Sequence, residues 1–371
     1  MADELRRLYL EPTSRCNLNC AMCFRKSWVD EEAGDMDEAT FRAVLAHLPP
    51  GVETLFFGGM GEPLFHPHIT DMVRAASAAG LRTELVSNGS LLTEERSAAL
   101  LDAGLDMLWL SVDSLEEADY AAIRCNGSLA VLKKHILAFN QLRFRLEREV
   151  RLGVAFVLMK SNVRSLADLP FFASYYHVNE VNVSHLIPTS ESAAHEVLYH
   201  NVLQSDFGGD HVPPAAPRIH LPLMDWTRPG VPEAVASLLS AGMCEIFLSG
   251  SRLRRPARRC RFVEEGMAFV RHDGMLSPCM ALLRSSRLYW EGKTRLNQHL
   301  FFGNVRSQPL DRLWRSPEYA AFRQNVRAFE FSPCCRCSQC DNWELSLPDC
   351  YGNPAPSCGA CLWSEGIISC P

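Results

Sequence analysis

Cys16, Cys20 and Cys23 stand close together with the spacing C-x3-C-x2-C. Thiolates are soft ligands that suit zinc and iron–sulfur centres. A zinc site takes four protein ligands, commonly from C-x2-C pairs. Three thiolates on one tight loop instead suit a [4Fe–4S] cube with one iron left open. An open iron can bind a small molecule through an amine and a carboxylate. A bare structural cysteine loop is the plainer alternative.

The 371-residue chain holds 15 cysteines. Only Cys125 and Cys244 lie between the triplet and a tail containing Cys260, Cys279, Cys334, Cys335, Cys337, Cys340, Cys350, Cys358, Cys361 and Cys370. Disulfide frameworks belong to small folds in oxidising compartments. This chain is long, and its charged start lacks the apolar region of a signal peptide. A cytoplasmic setting and metal-bound thiolates are therefore expected. Cys334 with Cys337, Cys337 with Cys340, and Cys358 with Cys361 have chelating spacings. Two four-iron clusters take at most about eight thiolates, so at least two of the tail cysteines are surplus or one iron is open. Cys335, adjacent to Cys334, is the first surplus candidate. One or two structural zinc sites would supply folding energy equally well, without redox function.

Composition narrows the function classes. Hydrophobic residues make up 47% of the chain, enough for a buried core. Mean hydropathy is near zero, as in a soluble globular protein. No apolar stretch approaches the roughly 20 residues of a membrane-spanning helix. The net charge of −6 offers no general attraction to nucleic acid or acidic lipid. One local exception spans residues 251–261, with Arg252, Arg254, Arg255, Arg258, Arg259 and Arg261. It reads as a solvated loop or as a cradle for a phosphate or carboxylate, which arginine pairs bidentately.

Short apolar runs alternating with amphipathic stretches indicate βαβ units on a parallel sheet. Strands are expected at residues 8–11, 53–57, 82–87, 107–112, 151–159 and 180–185. Helices are expected at 38–48, 69–79, from Thr93 through 101, at 129–146 and at 166–175. Six units are too few for an eight-fold barrel and suit an open, partial (β/α)6 barrel, an α/β fold whose ligands gather at the C-terminal strand ends. Residues 188–232 have linker or lid composition, and a short helix is expected at 233–241. The expected division is 1–232 for the barrel with its linker and 233–371 for a small cysteine-rich unit that needs metal to order it.

The triplet follows the first strand, and further motifs fall at successive strand ends. Gly58-Gly59-Met60-Gly61-Glu62-Pro63 follows the second strand. Ser87-Asn88-Gly89 ends the third, Ser111 and Asp113 the fourth, and Arg124 precedes an Asn126-Gly127 turn. Singly these are turns and caps. Their order resembles the radical S-adenosylmethionine (SAM) superfamily. That resemblance implies a catalytic [4Fe–4S] cluster on Cys16, Cys20 and Cys23, with SAM on its open iron and reductive cleavage to a 5′-deoxyadenosyl radical. It further implies that Gly58, Gly59, Gly61, Glu62 and Pro63 receive the SAM amino group, with Ser87 and Asn88 nearby. By the same resemblance Ser111 and Asp113 reach the ribose, and Arg124 approaches the carboxylate. Met22 departs from the aromatic residue that many members carry before the last cysteine.

Cys260, Gly274 and Cys279 resemble the opening of a SPASM domain, which holds one or two auxiliary clusters. The later spacing departs from the usual C-x2-C-x5-C-x3-C, leaving the partition open among Cys260, Cys279, Cys334, Cys337, Cys340, Cys350, Cys358, Cys361 and Cys370. The segments 58–63, 260–282 and 358–371 resemble the radical SAM maturases associated with tungsten-containing aldehyde oxidoreductases. This implies an oxygen-sensitive enzyme served by a ferredoxin or flavodoxin and acting on a pterin cofactor or a partner oxidoreductase. A peptide-modifying maturase is the rival within the class. A first strand starting by residue 8 leaves no room for a leader-binding domain ahead of it, which weakens that rival. A non-catalytic cluster or metal carrier explains the cysteines but not the ordered strand-end motifs. No general base stands out; His185 and Glu11, at the ends of the sixth and first strands, read as hydrogen-bonding residues.

Overall fold

The computed structural model describes residues 4–29, 33–199, 218–222, 224–225, 227–234, 245–248, 251–252, 259–290, 292–332, 334, 348–353 and 356–371. The first half alternates β1 (Arg7–Leu10), α1 (Glu38–Ala46), β2 (Thr54–Phe57), α2 (Ile69–Ala78), β3 (Arg82–Ser87), α3 (Glu94–Asp102) and β4 (Met107–Ser111). There follow α4 (Glu117–Ile123), α5 (Leu129–Arg145), β5 (Arg151–Leu158), α6 (Leu169–Tyr175), β6 (Glu180–His185) and α7 (Glu191–His195). Local chemistry sets these limits. Asp37, Thr93 and Ser128 accept hydrogen bonds from Thr40, Arg96 and Val131 amides, capping α1, α3 and α5, which satisfies N–H groups with no partner inside the helix.

All six expected strands are present. The expected helix at 166–175 is divided into a 3-10 turn, Val163–Ala167, and α6, whose first turn holds a proline. Proline fits the first turn of a helix, where its missing N–H is not needed. The helix α4, not anticipated from the sequence, is tied to the start of α5: Glu117 accepts from the Leu129 and Ala130 amides. Most of the expected helix at 233–241 lies outside the described residues.

Beyond α7 the chain forms a small sheet of β7 (Arg218–Leu221), β8 (Glu245–Leu248) and β9 (Ser251–Arg252). Then come α8 (Arg261–Glu264), β10 (Met267–Val270), β11 (Leu276–Ser277), the hairpin β12 (Ser286–Trp290) and β13 (Lys293–Asn297), α9 (Leu310–Trp314) and α10 (Pro317–Ala328). The main sheet has eight strands in the order β11-β10-β1-β2-β3-β4-β5-β6. β10 pairs with β1 in parallel register, Arg7 opposite Met267, so the cysteine-rich half extends the barrel's own sheet.

Side chains on a strand point alternately to the two faces of the sheet. Leu8, Leu10, Leu55, Phe57, Leu108, Leu110, Ala268 and Val270 pack under the helices. Their neighbours Tyr9, Phe56, Met107, Trp109, Met267 and Phe269 fill the barrel interior. β6 is the far edge, and residues 367–371 lie against it. The Ser369 amide donates to Ser184 Oγ at 3.1 Å, Ser369 Oγ donates to Asn182 Oδ1 at 3.0 Å, and Tyr9 Oη donates to the Pro371 carbonyl at 2.9 Å. The segment thus bridges β6 to β1 across the opening of the barrel.

The turn into β10 depends on Gly266, at φ +67°, whose added Cβ would collide with the Glu4 carbonyl oxygen. Gly266→Ala is expected to cost about 2 kcal/mol or more, combining left-handed strain with that clash, and to lower the apparent thermal midpoint. A midpoint equal to that of the native protein would show that the turn relaxes without disturbing the β1–β10 pairing.

Candidate active site at the barrel mouth

The loop after β1 carries the cysteine triplet and is stitched to the end of α4. Asn19 and Ala21 amides donate to the Cys125 and Ile123 carbonyls at 3.3 and 2.8 Å. Burial raises the Cys16 and Cys20 thiols, and the neighbouring thiols add to the effect. Such thiols are held as ligands only when a cation offsets the thiolate charge; a coordinated thiol is deprotonated outright. Asn88 Nδ2 and Arg124 Nη1 lie 3.8 and 3.9 Å from Cys16 and Cys20 Sγ.

The glycine-rich loop after β2 lies directly against this cysteine loop. The Glu62 amide donates to the Arg15 carbonyl at 2.9 Å. A Cβ on Gly61 would meet the Thr13 and Arg15 carbonyl oxygens, so only glycine permits this approach. Glu62 is 2% exposed. Its carboxylate accepts from Ser87 Oγ (2.7 Å), the Leu64 amide (3.0 Å) and the Asn88 amide (2.7 Å). Burial outweighs these donors and raises its pKa.

Cys16, Cys20, Cys23, Gly59, Gly61, Glu62, Ser87, Asn88, Ser111 and Arg124 all line one cavity of about 300 Å³. The expected site residues Gly58, Pro63 and Asp113 stand behind that wall. Asp113 is fully buried, with Oδ2 taking the Arg124 guanidinium at 2.5 Å and Oδ1 the Val157 amide at 2.8 Å. The Asp113 charge therefore holds Arg124 in place, and burial alone, which would lower the Arg124 pKa, is outweighed by it. Three soft donors on one loop, beside a cavity walled by strand-end polar groups, fit an iron–sulfur cluster with a small ligand next to it. Among the described residues no three His, Cys, Asp or Glu side chains are placed for a single metal ion; a cube, being wider than an ion, takes thiolates held apart.

The same cavity has further walls, of which the sequence singled out only His185 and Cys370. Asn182, Ser184 and His185 of β6 line it, as do Met280, Trp363, Ile368, Ser369, Cys370 and Pro371. Among the described residues His185 Nδ1 is buried without a hydrogen-bond partner, and burial lowers the pKa of the imidazole. The 367–371 contribution has no local signal, because its contacts to β6 span a separation of about 187 residues in sequence.

A second, smaller cavity of about 50 Å³ is lined by Cys260, Cys279, Cys358 and Cys361 amid apolar side chains. Burial pushes Cys260 up to about 12 and Cys279 and Cys358 well above the usual thiol range, with the neighbouring thiols adding to the shift. Elsewhere, Cys350 Sγ lies 3.0 Å from Ser332 Oγ, and Cys350 adds to the burial that raises Cys334. Cys125 Sγ meets the Ala122 carbonyl at 3.5 Å. Cys244, Cys335, Cys337 and Cys340 lie outside the described residues, as do Arg254, Arg255 and Arg258. Of that arginine-rich segment, Arg261 bonds Glu265 and the Cys370 carbonyl, and Arg259 stands 3.8 Å from Glu264.

One buried carboxylate joins the two halves at this site. Glu11 accepts from the Met60 amide at 3.4 Å through Oε1, and from His272 Nδ1 (3.1 Å) and Arg284 Nη2 (2.6 Å) through Oε2. The Arg284 guanidinium also lies 4.2 Å above the Trp28 ring. Burial would raise the Glu11 pKa, but the His272 bond and the Arg284 charge outweigh it and hold the carboxyl below its usual range.

Residues 10–145 match the radical SAM superfamily, and residues 260–341 match SPASM, an iron–sulfur cluster-binding domain. The chain is 31% identical to the tungsten-containing aldehyde ferredoxin oxidoreductase cofactor-modifying protein of Pyrococcus furiosus, over 99% of this chain and 97% of that protein. It is 30% identical to a PqqA peptide cyclase of Gluconobacter oxydans over 48% of each chain. Among solved structures, Streptococcus suis SuiB bound to S-adenosylmethionine aligns with a TM-score of 0.56 at 14% identity, covering 95% of this chain and 74% of that one. The enzyme anSMEcpe with bound AdoMet gives 0.56 at 14%, covering 95% and 87%. At such identities these two structures establish the shared fold alone.

Because the folded-state pKa of Glu11 lies below its unfolded value near 4.5, its stabilisation is complete above that pH. It is lost as pH falls through the lower, folded-state value. Glu11→Gln is expected to lower stability at pH 7 by about 3 kcal/mol, since it removes the buried carboxylate charge that Arg284 and His272 share, and to flatten the loss of stability below pH ~4.5. Guanidinium unfolding midpoints across the acid range check both; parallel acid profiles for native and variant would remove Glu11 from the account.

Proposed function

The chain belongs to the radical SAM superfamily, in the family of the tungsten-containing aldehyde ferredoxin oxidoreductase cofactor-modifying protein, and on that premise we propose that it matures a tungstopterin cofactor or the oxidoreductase that holds it. The carrying observation is the convergence of Cys16, Cys20 and Cys23 with four strand-end loops on one cavity of about 300 Å³. When bound there, a [4Fe–4S] cluster with SAM supplies one-electron cleavage of SAM to a carbon-centred 5′-deoxyadenosyl radical.

The chain's own residues bind, orient and exclude water. Cys16, Cys20 and Cys23 would hold the cluster by three of its irons. Glu62 and the glycine loop would receive the SAM amino group, with Ser87 and Asn88 fixing the Glu62 carboxylate from behind. Arg124, locked by Asp113, would present fixed positive charge to the SAM carboxylate, and Ser111 a hydroxyl to the ribose. Tyr9, Phe56, Met280 and Trp363 give the cavity apolar walls, which shield a reactive carbon radical from solvent. Asn182, Ser184 and His185 would supply the polar contacts to substrate. Cys260, Cys279, Cys358 and Cys361 are assigned one auxiliary cluster, since they share one buried cavity. A ferredoxin or flavodoxin is the expected electron source.

The test uses anaerobically reconstituted protein with SAM and dithionite, measuring 5′-deoxyadenosine and methionine. The native protein is expected to form both, and a Cys16→Ala/Cys20→Ala/Cys23→Ala variant neither above background. Cys361→Ala is expected to lose about four irons per chain, one cubane cluster. Absence of SAM binding by the iron-loaded native protein would overturn the enzymatic reading in favour of a cluster carrier.

A further inference from the structure

Cys370 packs against the same interior cluster as Cys260 and Cys279, but it lines a different cavity. Cys260, Cys279, Cys358 and Cys361 line the small apolar cavity, and none of them lines the large one. Cys370 does the reverse: it lines the large cavity together with Cys16, Cys20 and Cys23 and is absent from the walls of the small one. Trp363 borders both cavities. Its indole N–H donates to Cys370 Sγ at 3.2 Å, and Met280 Sδ lies 4.0 Å from the same sulfur. The backbone on either side is pinned, with Ser369 bonded to Asn182 and Ser184, Arg261 Nη1 on the Cys370 carbonyl at 3.1 Å, and Tyr9 on the Pro371 carbonyl. A thiol is thus held in the wall of the cavity of Cys16, Cys20 and Cys23 while four others share a separate one.

We propose that Cys370 is a catalytic residue, a hydrogen-atom donor that quenches a carbon radical in this cavity, and not a cluster ligand as its place in the cysteine-rich tail suggests. The inference rests on the radical reading above. An S–H bond is weaker than most C–H bonds, so transfer to carbon runs downhill. In the step the Cys370 S–H bond breaks, a C–H bond forms on the carbon radical, and a thiyl radical remains on Cys370. One electron from a reduced iron–sulfur centre or from dithionite, with one proton from solvent, restores the thiol. The indole N–H on Sγ fixes the sulfur in the wall, and a cluster held by the thiols of the small cavity, which Trp363 also borders, would supply the electron.

The radical that SAM itself yields serves as the probe, because the natural substrate is not needed to read the transfer. Reconstituted native protein, Cys370→Ser and Cys361→Ala are incubated with SAM and dithionite in D2O, where thiols exchange their hydrogen with solvent. Mass spectrometry then reads the deuterium content of 5′-deoxyadenosine, and iron is counted per chain. Native protein is expected to give singly deuterated 5′-deoxyadenosine. Cys370→Ser, whose O–H bond is too strong to donate, is expected to lower the labelled fraction at least tenfold while retaining the native iron content. Cys361→Ala is expected to lose a cluster's worth of iron. Equal labelling in native and Cys370→Ser, or iron loss in Cys370→Ser matching that of Cys361→Ala, would overturn the assignment. Unlabelled 5′-deoxyadenosine from the native protein overturns the assignment alone; no 5′-deoxyadenosine at all overturns it together with the functional reading.

Discussion

The six parallel strands β1 to β6 do not close on one another, and the rest of this molecule follows from that. Taken by themselves, β1 to β6 would leave edges at β1 and β6, and unpaired strand edges must be covered. It also has an apolar interior, built from Tyr9, Phe56, Met107 and Trp109, that solvent would otherwise enter. The chain's second half meets both demands. β10 pairs with β1 along its whole length, and residues 367–371 are bonded to β6. Covering the edges is the same act that brings the tail thiols to the barrel.

Charge compensation fixes the join. Glu11 is fully buried at the end of β1, where an unpaired carboxylate would cost several kcal/mol. Its partners, His272 and Arg284, come from the second half, and its other oxygen holds the Met60 amide in the glycine loop. The glycine loop and the docking of the cysteine-rich half therefore share one buried charge. The Asp113–Arg124 pair repeats the arrangement on the opposite wall, with a carboxylate out of reach of the cavity setting a guanidinium within it.

The two cavities divide the thiols by environment. Around the triplet, polar strand-end groups and a guanidinium surround sulfur, and the space beside it is large enough for a second molecule. Around Cys260, Cys279, Cys358 and Cys361 the walls are apolar and close-fitting. A dry, enclosed thiol set suits a cluster that exchanges electrons, while an open one suits a cluster that binds a ligand. Trp363 is the partition between them.

The amino-acid sequence by itself determined whatever depends on neighbours in the chain. The triplet, the glycine loop and Ser87-Asn88 are short motifs at strand ends, and strand ends follow from local apolar patterning and caps such as Thr93. The order of those motifs placed them on one barrel mouth and pointed to the family. The roles that depend on distant partners were decided only in the folded chain. Asp113, expected to face the ribose, is drawn behind the wall by Arg124 and the Val157 amide. Three pairs among the ten tail cysteines, Cys334 with Cys337, Cys337 with Cys340 and Cys358 with Cys361, have chelating spacings, so spacing alone could not sort them. Strand pairing of β10 with β1 and packing of residues 358–371 set, among the described thiols, which four share the small cavity and which one lines the cavity of the triplet. Chelating spacing is a property of a few bonded residues, whereas a ligand set assembled across about a hundred residues is a property of the sheet that carries them.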